Sequence, residues 1–335
     1  MITGAAGQDG SILARSLRIA GSSVLGLVKP GHDPADFVRL KRYAPGTEIV
    51  ECDLRNGDEL ARLVRDYAPH EIFNFGGISS IVESIKNPEL THEINVGSVS
   101  ALLAGIRSVR SSGSGLSPRL VTAASGAIFE GVDRSPQNEE TEPAPNSPYA
   151  KSKSEVISML REARKSEGLF VTSAILYNHE SPLRGEGFVT RKISMAVARI
   201  AAGSQSVLEL GDTEVARDWG WAPDYVCGMQ LMVAADQPGD FVLATGISHR
   251  LSFFIDRAFA AAGIVDWSDL VVSTEINQRK ADTNLLVGDS RRAYLKLGWR
   301  HTVDFDSMAA VMVRFDVALL TDPELLWDAN EPTAI

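Results

Sequence analysis

The sequence predicts an α/β fold built on a doubly wound parallel sheet. Two observations carry that prediction. Short apolar runs alternate with longer amphipathic stretches through the first half, and a glycine-rich turn opens the chain directly before the first such stretch. The alternation argues for parallel strands covered by helices.

The elements follow in order. Residues 8–20, 57–67 and 88–110 read as amphipathic helices, and 23–28, 48–51, 71–75 and 119–123 read as strands. Residues 111–117 are rich in Ser and Gly, and 135–148 carry four prolines, so both read as loops. A helix over 149–167 and a strand over 169–175 come next. Beyond them the pattern loosens into helices at 188–202 and 223–235 and a strand at 241–244. Residues 289–297 begin with an acidic residue and end at Gly298, which suits a short capped helix. A long helix spans 304–320, and 321–335 read as a tail. No internal repeat and no low-complexity tract is present. Only Met1 and Ile2 precede the glycine turn, so the first strand is a stub: the numbered chain starts late or the strand is unusually short.

Composition bounds the function. The chain has 335 residues, 44% of them hydrophobic, which is enough for a large core and suggests two lobes. A net charge of −10 argues against a nucleic-acid partner, which needs a basic field. The two cysteines, Cys52 and Cys227, are far apart, so a reducing cytoplasm is expected and a disulfide scaffold is not. No signal peptide and no membrane-length apolar run is seen. No metal site is expected.

The turn at Thr3-Gly4-Ala5-Ala6-Gly7-Gln8-Asp9-Gly10 spaces its glycines by three residues. Glycines let backbone approach a pyrophosphate, and a helix N-terminus offers free N–H groups and partial positive charge. A plain tight turn fits the motif equally well in isolation; its position at the head of an α/β pattern favours a dinucleotide. An acidic residue at the end of the second strand would bind the ribose hydroxyls of NAD. This chain has Lys29 there, either a receptor for the 2′-phosphate of NADP or a solvated loop lysine.

Tyr149 and Lys153, in Ser147-Pro148-Tyr149-Ala150-Lys151-Ser152-Lys153, stand four apart and share one helix face. A phenol of pKa about 10 is a poor base at neutral pH. An ammonium group and a cationic nicotinamide beside it favour the phenolate. Such a tyrosine takes a proton from a hydroxyl while the carbon gives up hydride. Ser125, after the 119–123 strand, is placed to hydrogen-bond the reacting oxygen; otherwise it is a turn-forming serine.

The run Leu176-Tyr177-Asn178-His179-Glu180-Ser181-Pro182-Leu183-Arg184-Gly185-Glu186-Gly187-Phe188-Val189-Thr190-Arg191-Lys192-Ile193 resembles the substrate-side signature of the GDP-mannose 4,6-dehydratases, members of the extended short-chain dehydrogenase/reductase family. The run Ala216-Arg217-Asp218-Trp219-Gly220-Trp221-Ala222-Pro223-Asp224-Tyr225-Val226 resembles the family too, and residues 279–289 are a degraded version of its last motif. The likeness runs from about Ile2 to Val317. It implies a Rossmann-type sheet with a smaller, mostly C-terminal α/β substrate lobe. The division would be residues 1–177 for the cofactor and mainly 178–320 for the nucleotide sugar, with about 215–245 returning to the first lobe.

The resemblance implies NADP rather than NAD, a GDP-sugar substrate and a homodimer or homotetramer. Gly4, Gly7, Gln8, Asp9, Gly10, Lys29, Asp53, Leu54, Phe75, Gly76, Gly77, Ser79, Lys153, His179 and Arg184 would bind the cofactor. Asn178, Lys192, Arg217, Arg279 and Asp282 would bind substrate. For Lys192 the plain alternative is a solvated helix charge, and for Asn178 and His179 a polar loop.

One position departs from the family. A Glu two residues after the catalytic Ser/Thr removes the C5 proton there, and this chain has Ala127; Glu130 lies three residues further on. General acid–base help is worth ~10²–10⁴-fold, so the change bears on water elimination. A 4-epimerase or 4-keto reductase needs only Ser125, Tyr149, Lys153 and cofactor. A non-enzymatic NADP-binding sensor is the remaining alternative.

Overall fold

The structure is a computed structural model describing residues 1–31, 34–273 and 285–328. Seven parallel strands form its main sheet: β1 (Ile2–Thr3), β2 (Leu25–Val28), β3 (Glu48–Glu51), β4 (Glu71–Asn74), β5 (Arg119–Ser125), β6 (Val171–Leu176) and β10 (Asp240–Leu243). Their order is β10-β6-β5-β4-β1-β2-β3. The chain thus reverses direction of travel at β1, which is the switch point where doubly wound sheets bind ligands.

β1 is the expected stub, yet it sits in the middle of the sheet. Ile2 pairs with Gly26 and Phe73. The terminal ammonium of Met1 donates to Glu71 O at 2.8 Å, and Thr3 Oγ1 donates to Asn74 Oδ1 at 2.6 Å.

Strand periodicity splits the core between the two faces. Phe73 and Val121 enter one apolar cluster, while their neighbours Ile72 and Leu120 enter the other. Burial on both faces is why these strands are continuous apolar runs. The first face is covered by α1 (Gln8–Ile19), α2 (Pro34–Tyr43) and α9 (Ala222–Ala234). The second is covered by α3 (Gly57–Tyr67), α6 (Ser98–Ser111) and α7 (Pro148–Glu167).

The expected helix at 88–110 is interrupted. After α4 (Ile81–Lys86), α5 (Pro88–His92) runs into a π-helical turn over Glu93–Gly97 and then into α6. The bulge turns Asn95 inward. Asn95 Oδ1 accepts from Ile78 N at 2.8 Å, and its Nδ2 donates to Ile78 O at 3.1 Å and Ser152 Oγ at 3.0 Å. This clamp holds the loop after β4 against α7.

The second half contains elements the sequence reading missed. A three-stranded sheet has the order β11 (Ser248–Arg250), β9 (Ala216–Trp221), β7 (Asn178–Glu180), and β12 (Val271–Ser273) pairs with β8 (Leu208–Leu210). α8 (Val189–Ala201), α10 (Leu251–Ala261) and α12 (Phe305–Thr321) pack together beside them. α10 buries Leu251, Phe254, Ile255, Ala258 and Phe259, one helical face at spacings of three and four. A buried Arg191–Asp316 ion pair joins α8 to α12.

Past the short α11 (Arg291–Leu297) and α12, the stretch read as a tail folds back at its start. Trp327 is 2% exposed and meets Trp221 edge-on at 5.3 Å. Arg15 pairs with Asp328 at 2.9 Å. Among the described residues, no helix is long and apolar enough to cross a membrane.

Candidate active site

Three loops meet at the C-terminal edge of the main sheet. The first is the glycine turn after β1. Gly4 has φ +65°, and a Cβ there would lie 2.9 Å from Gly76 N. A Cβ on Gly10 would lie 2.3 Å from Gly4 O, so α1 presses directly on the turn. Gly7 N-caps α1 with no side-chain cap. A bare helix start behind a close-packed glycine turn fits the pyrophosphate of a dinucleotide.

Gln8 and Asp9 face the 177–184 segment. Gln8 Nε2 donates to His179 O at 3.1 Å, and Ser181 Oγ donates to Gln8 Oε1 at 2.8 Å. Asp9 Oδ2 lies 3.0 Å from His179 Nε2. His179 Nδ1 lies 2.7 Å from Tyr177 O, and the ring stacks on Tyr225 at 4.7 Å. Burial opposes the charge on both partners, but their mutual attraction wins: Asp9 titrates below its ordinary range and His179 above. Arg184 Nε sits 3.2 Å from Glu180 Oε2 and its guanidinium covers the Phe188 ring at 3.6 Å. The predicted cofactor residues Gln8, Asp9 and His179 are therefore one connected group.

Around the second loop, Lys29 is exposed just past β2, and its charge acts on Asp53. Arg55 Nε donates to Asp53 Oδ2 at 2.9 Å, which holds the half-buried carboxyl at about 2. Leu54 packs where a Gly76 Cβ would stand, 2.6 Å away. Phe75, Gly76, Gly77 and Ser79 follow β4, fixed by Asn95 and by Thr3 Oγ1, which accepts from Gly76 N at 2.9 Å.

The third group lies where β5 ends. Ser125 caps a 3₁₀ turn (Gly126–Phe129), accepting from Ala127 N at 3.2 Å. Ser147 caps α7 by accepting from Ala150 N at 3.1 Å, and Pro148 occupies the first turn. One turn of helix then carries Tyr149 and Lys153 inward, both 9% exposed. The Ser125 hydroxyl acts on the Tyr149 phenol and favours its ionised form. Lys153 Nζ donates to Ala123 O at 2.8 Å and stands 5.8 Å from the Tyr149 ring centre. Burial lowers the Lys153 ammonium to about 8. Burial raises the Tyr149 phenol; the Ser125 hydroxyl and the Arg184 charge oppose the rise, while Glu130 and Asp9 add to it. Tyr149 is thus not acidic in the protein alone.

A separate cluster lies along α8 and β8. Lys192 Nζ donates to Glu209 O at 2.6 Å and lines a cavity of about 280 Å³ with Glu186, Arg199 and Glu209. Asn178 is exposed at the start of β7, in register with Trp219 of β9. Arg217 donates from Nη1 to Ala216 O at 2.8 Å. Its neighbour Asp218 accepts from Thr245 N and Gly246 N at 2.9 Å and from Gly288 N at 3.2 Å, so it ties two segments to β9. Arg279 and Asp282 lie outside the described residues. Asn95, Ser147, Glu180 and Ser181 were not singled out from sequence. The Ser147-Pro148 cap was legible there; the π-bulge that turns Asn95 inward was not.

The profile of the family described as GDP-mannose 4,6 dehydratase matches residues 1–312. The chain belongs to the GDP-mannose 4,6 dehydratase family. It is an enzyme of the nucleotide-sugar dehydratase/epimerase class. Within that family it is 34% identical to the GDP-mannose 4,6-dehydratase of Sinorhizobium fredii (strain HH103), over 96% of this chain and 97% of that one. Solved structures share its fold, two of them as follows. RMD from Pseudomonas aeruginosa, complexed with NADPH, has a TM-score of 0.74 at 20% identity, covering 95% of this chain and 97% of that one. DesIV, a dTDP-glucose 4,6-dehydratase from Streptomyces venezuelae with NAD and TYD bound, has a TM-score of 0.80 at 23% identity, covering 96% of each.

Proposed function

We propose that this dehydratase-family enzyme removes water from a GDP-hexose, GDP-mannose first among candidates, using NADP as an internal redox cofactor. The observation that carries the reading is the Ser125–Tyr149 hydroxyl pair with the Lys153 ammonium over the same ring, set across the sheet edge from a bare helix start.

Bound nicotinamide supplies a hydride acceptor for C4 of the hexose. Tyr149 takes the C4 hydroxyl proton, and Ser125 holds that oxygen in line. Lys153 keeps a positive charge beside the ring at neutral pH and is the residue to hold the nicotinamide ribose. Its charge and that of the oxidised ring offset the burial that raises the phenol. The glycine turn and α1 would hold the pyrophosphate. Lys29 and Arg55, flanking Asp53, favour a 2′-phosphate and so NADP over NAD. The solved neighbours carry NADPH in one case and NAD in the other.

The α8–β8 cavity suits the nucleobase. It offers donors, Lys192 and Arg199, and acceptors, Glu186 and Glu209, to a guanine edge that presents both. Asn178 and Arg217 would meet the sugar and the diphosphate. A homodimer or homotetramer, as the family resemblance implies, completes the reading.

Incubation with NADP and GDP-mannose should give a product lighter by one water. Unchanged mass with cofactor turnover defeats the dehydratase reading. Ala127 favours a second reading, a 4-epimerase or 4-keto reductase, because it offers no base for elimination. Scrambled configuration at C4, or NADPH consumed with a keto-sugar, identifies that case.

A further inference from the structure

We propose that Glu130 is the general base that takes the C5 proton of the hexose, displaced by one 3₁₀ turn from the position that Ala127 occupies. The inference rests on the dehydratase reading above and assigns its elimination step.

The chemistry sets the need. Once C4 is a ketone, the C5 hydrogen is α to a carbonyl. Expelling the C6 hydroxyl as water requires a base for that hydrogen. Tyr149 is already engaged at the C4 oxygen, so a second group must serve C5.

The fold supplies one. The chain leaves β5 at Ser125 and makes a 3₁₀ turn, in which Glu130 N donates to Ala127 O at 3.1 Å. A 3₁₀ helix has three residues per turn, so side chains three apart are eclipsed. Glu130 therefore stands over Ala127 on the same face. Their backbones are separated by about 6 Å along the axis, at roughly 2 Å per residue. A glutamate side chain reaches over most of that span, and Ala127 presents only a methyl there. Burial agrees with this placement. Ile128 and Phe129 are buried, whereas Ser125, Ala127 and Glu130 keep partial access. α7, which carries Tyr149, packs against the turn.

The field at Tyr149 points the same way. Two carboxylates act on its phenol, Glu130 and Asp9. Asp9 is a poor candidate. It is held 3.0 Å from His179 Nε2 and accepts from Gln8 Nε2 at 3.0 Å, and it titrates below its ordinary range. Glu130 is the one of the two that shares the Ser125 turn.

The step balances. The Glu130 carboxylate takes the C5 proton, and the C–H electron pair becomes the C4–C5 double bond of the enolate. That enolate expels the C6 hydroxyl, which leaves as water with the proton from Glu130. The nicotinamide that Lys153 would hold would supply to C6 the hydride it accepted from C4, and C5 regains a solvent proton. One water is lost with no net redox change.

The test uses the holoenzyme with NADP and GDP-mannose in deuterated water. Wild type should lose water and carry solvent deuterium at C5. Glu130→Gln should still reduce bound cofactor through C4 oxidation, while dehydration and C5 labelling fall by about 10²-fold or more. Placing the base one turn back, as Ala127→Glu with Glu130→Ala, should raise dehydration above that of Glu130→Ala alone. The proposal is overturned if Glu130→Gln dehydrates and labels C5 like wild type. It is equally overturned if Glu130→Gln loses C4 oxidation together with the later steps, the mark of a merely structural role. Wild type that oxidises C4 but never loses water defeats the dehydratase reading and this assignment together. Wild-type dehydration with an indifferent Glu130 defeats this assignment alone.

Discussion

Replacing Lys153 with methionine separates the cost of burying a catalytic cation from its use. Burial lowers the ammonium from its ordinary 10.5 to about 8. At roughly 1.4 kcal/mol per unit, that is about 3 kcal/mol of penalty on the folded state at neutral pH. Methionine keeps most of the volume and removes the charge. It also removes the bond to Ala123 O, a loss of roughly 1.5–3 kcal/mol for a charged donor. The two nearly offset, so K153M should unfold within about 1 kcal/mol of wild type at pH 7 while losing activity. The pH dependence is sharper. The folded pKa lies below the unfolded one, so between about 8 and 10.5 the unfolded chain holds a proton that the folded chain has released. Wild type should therefore gain stability relative to K153M as pH rises through that window, by roughly 1.4 kcal/mol per unit. Below about 8 the difference should be flat. Urea unfolding of both proteins at neutral and alkaline pH measures it. A wild-type-minus-variant difference that falls with rising pH would refute the reasoning.

Three further outcomes follow. Gly10→Ala places a methyl 2.3 Å from Gly4 O and 2.7 Å from Ala5 Cα, both backbone atoms, so α1 must shift. A misfit of about 1–3 kcal/mol should weaken NADPH binding by about tenfold or more in a fluorescence titration, at roughly 1.4 kcal/mol per decade. Lys192→Met should raise the KM for the nucleotide sugar and leave kcat near wild type, since uniform binding is lost far from Tyr149. Trp327→Ala should lower stability by about 3–5 kcal/mol in a thermal or urea melt, because the ring is buried against Trp221.

Most of the main sheet could be read from sequence. β3 and α3 fall at the expected residues, because β3, the edge strand, centres on the apolar pair Ile49-Val50 and α3 has a strongly one-sided face. The missed strands β7, β8, β9, β11 and β12 are only three to six residues long and offer fewer cues of this kind; β7 is Asn178-His179-Glu180, polar throughout and set by its neighbour β9. α10 was legible in its spacing of Leu251, Phe254, Ile255, Ala258 and Phe259 and was overlooked. Within the site, the Tyr149–Lys153 pair is local and follows from helical spacing. The Asp9–His179 contact spans 170 residues and could come only from the fold. The Asn95 clamp depends on a π-turn, which no periodicity announces.

The most direct measurement follows deuterium placed at C4 of GDP-mannose through one turnover, in wild type and in Tyr149→Phe. The label should move to C6 of a product lacking one water, and the variant should slow this transfer by about 10²-fold or more. Label retained at C4 in the wild-type product, or transfer undiminished without the phenol, would contradict the account.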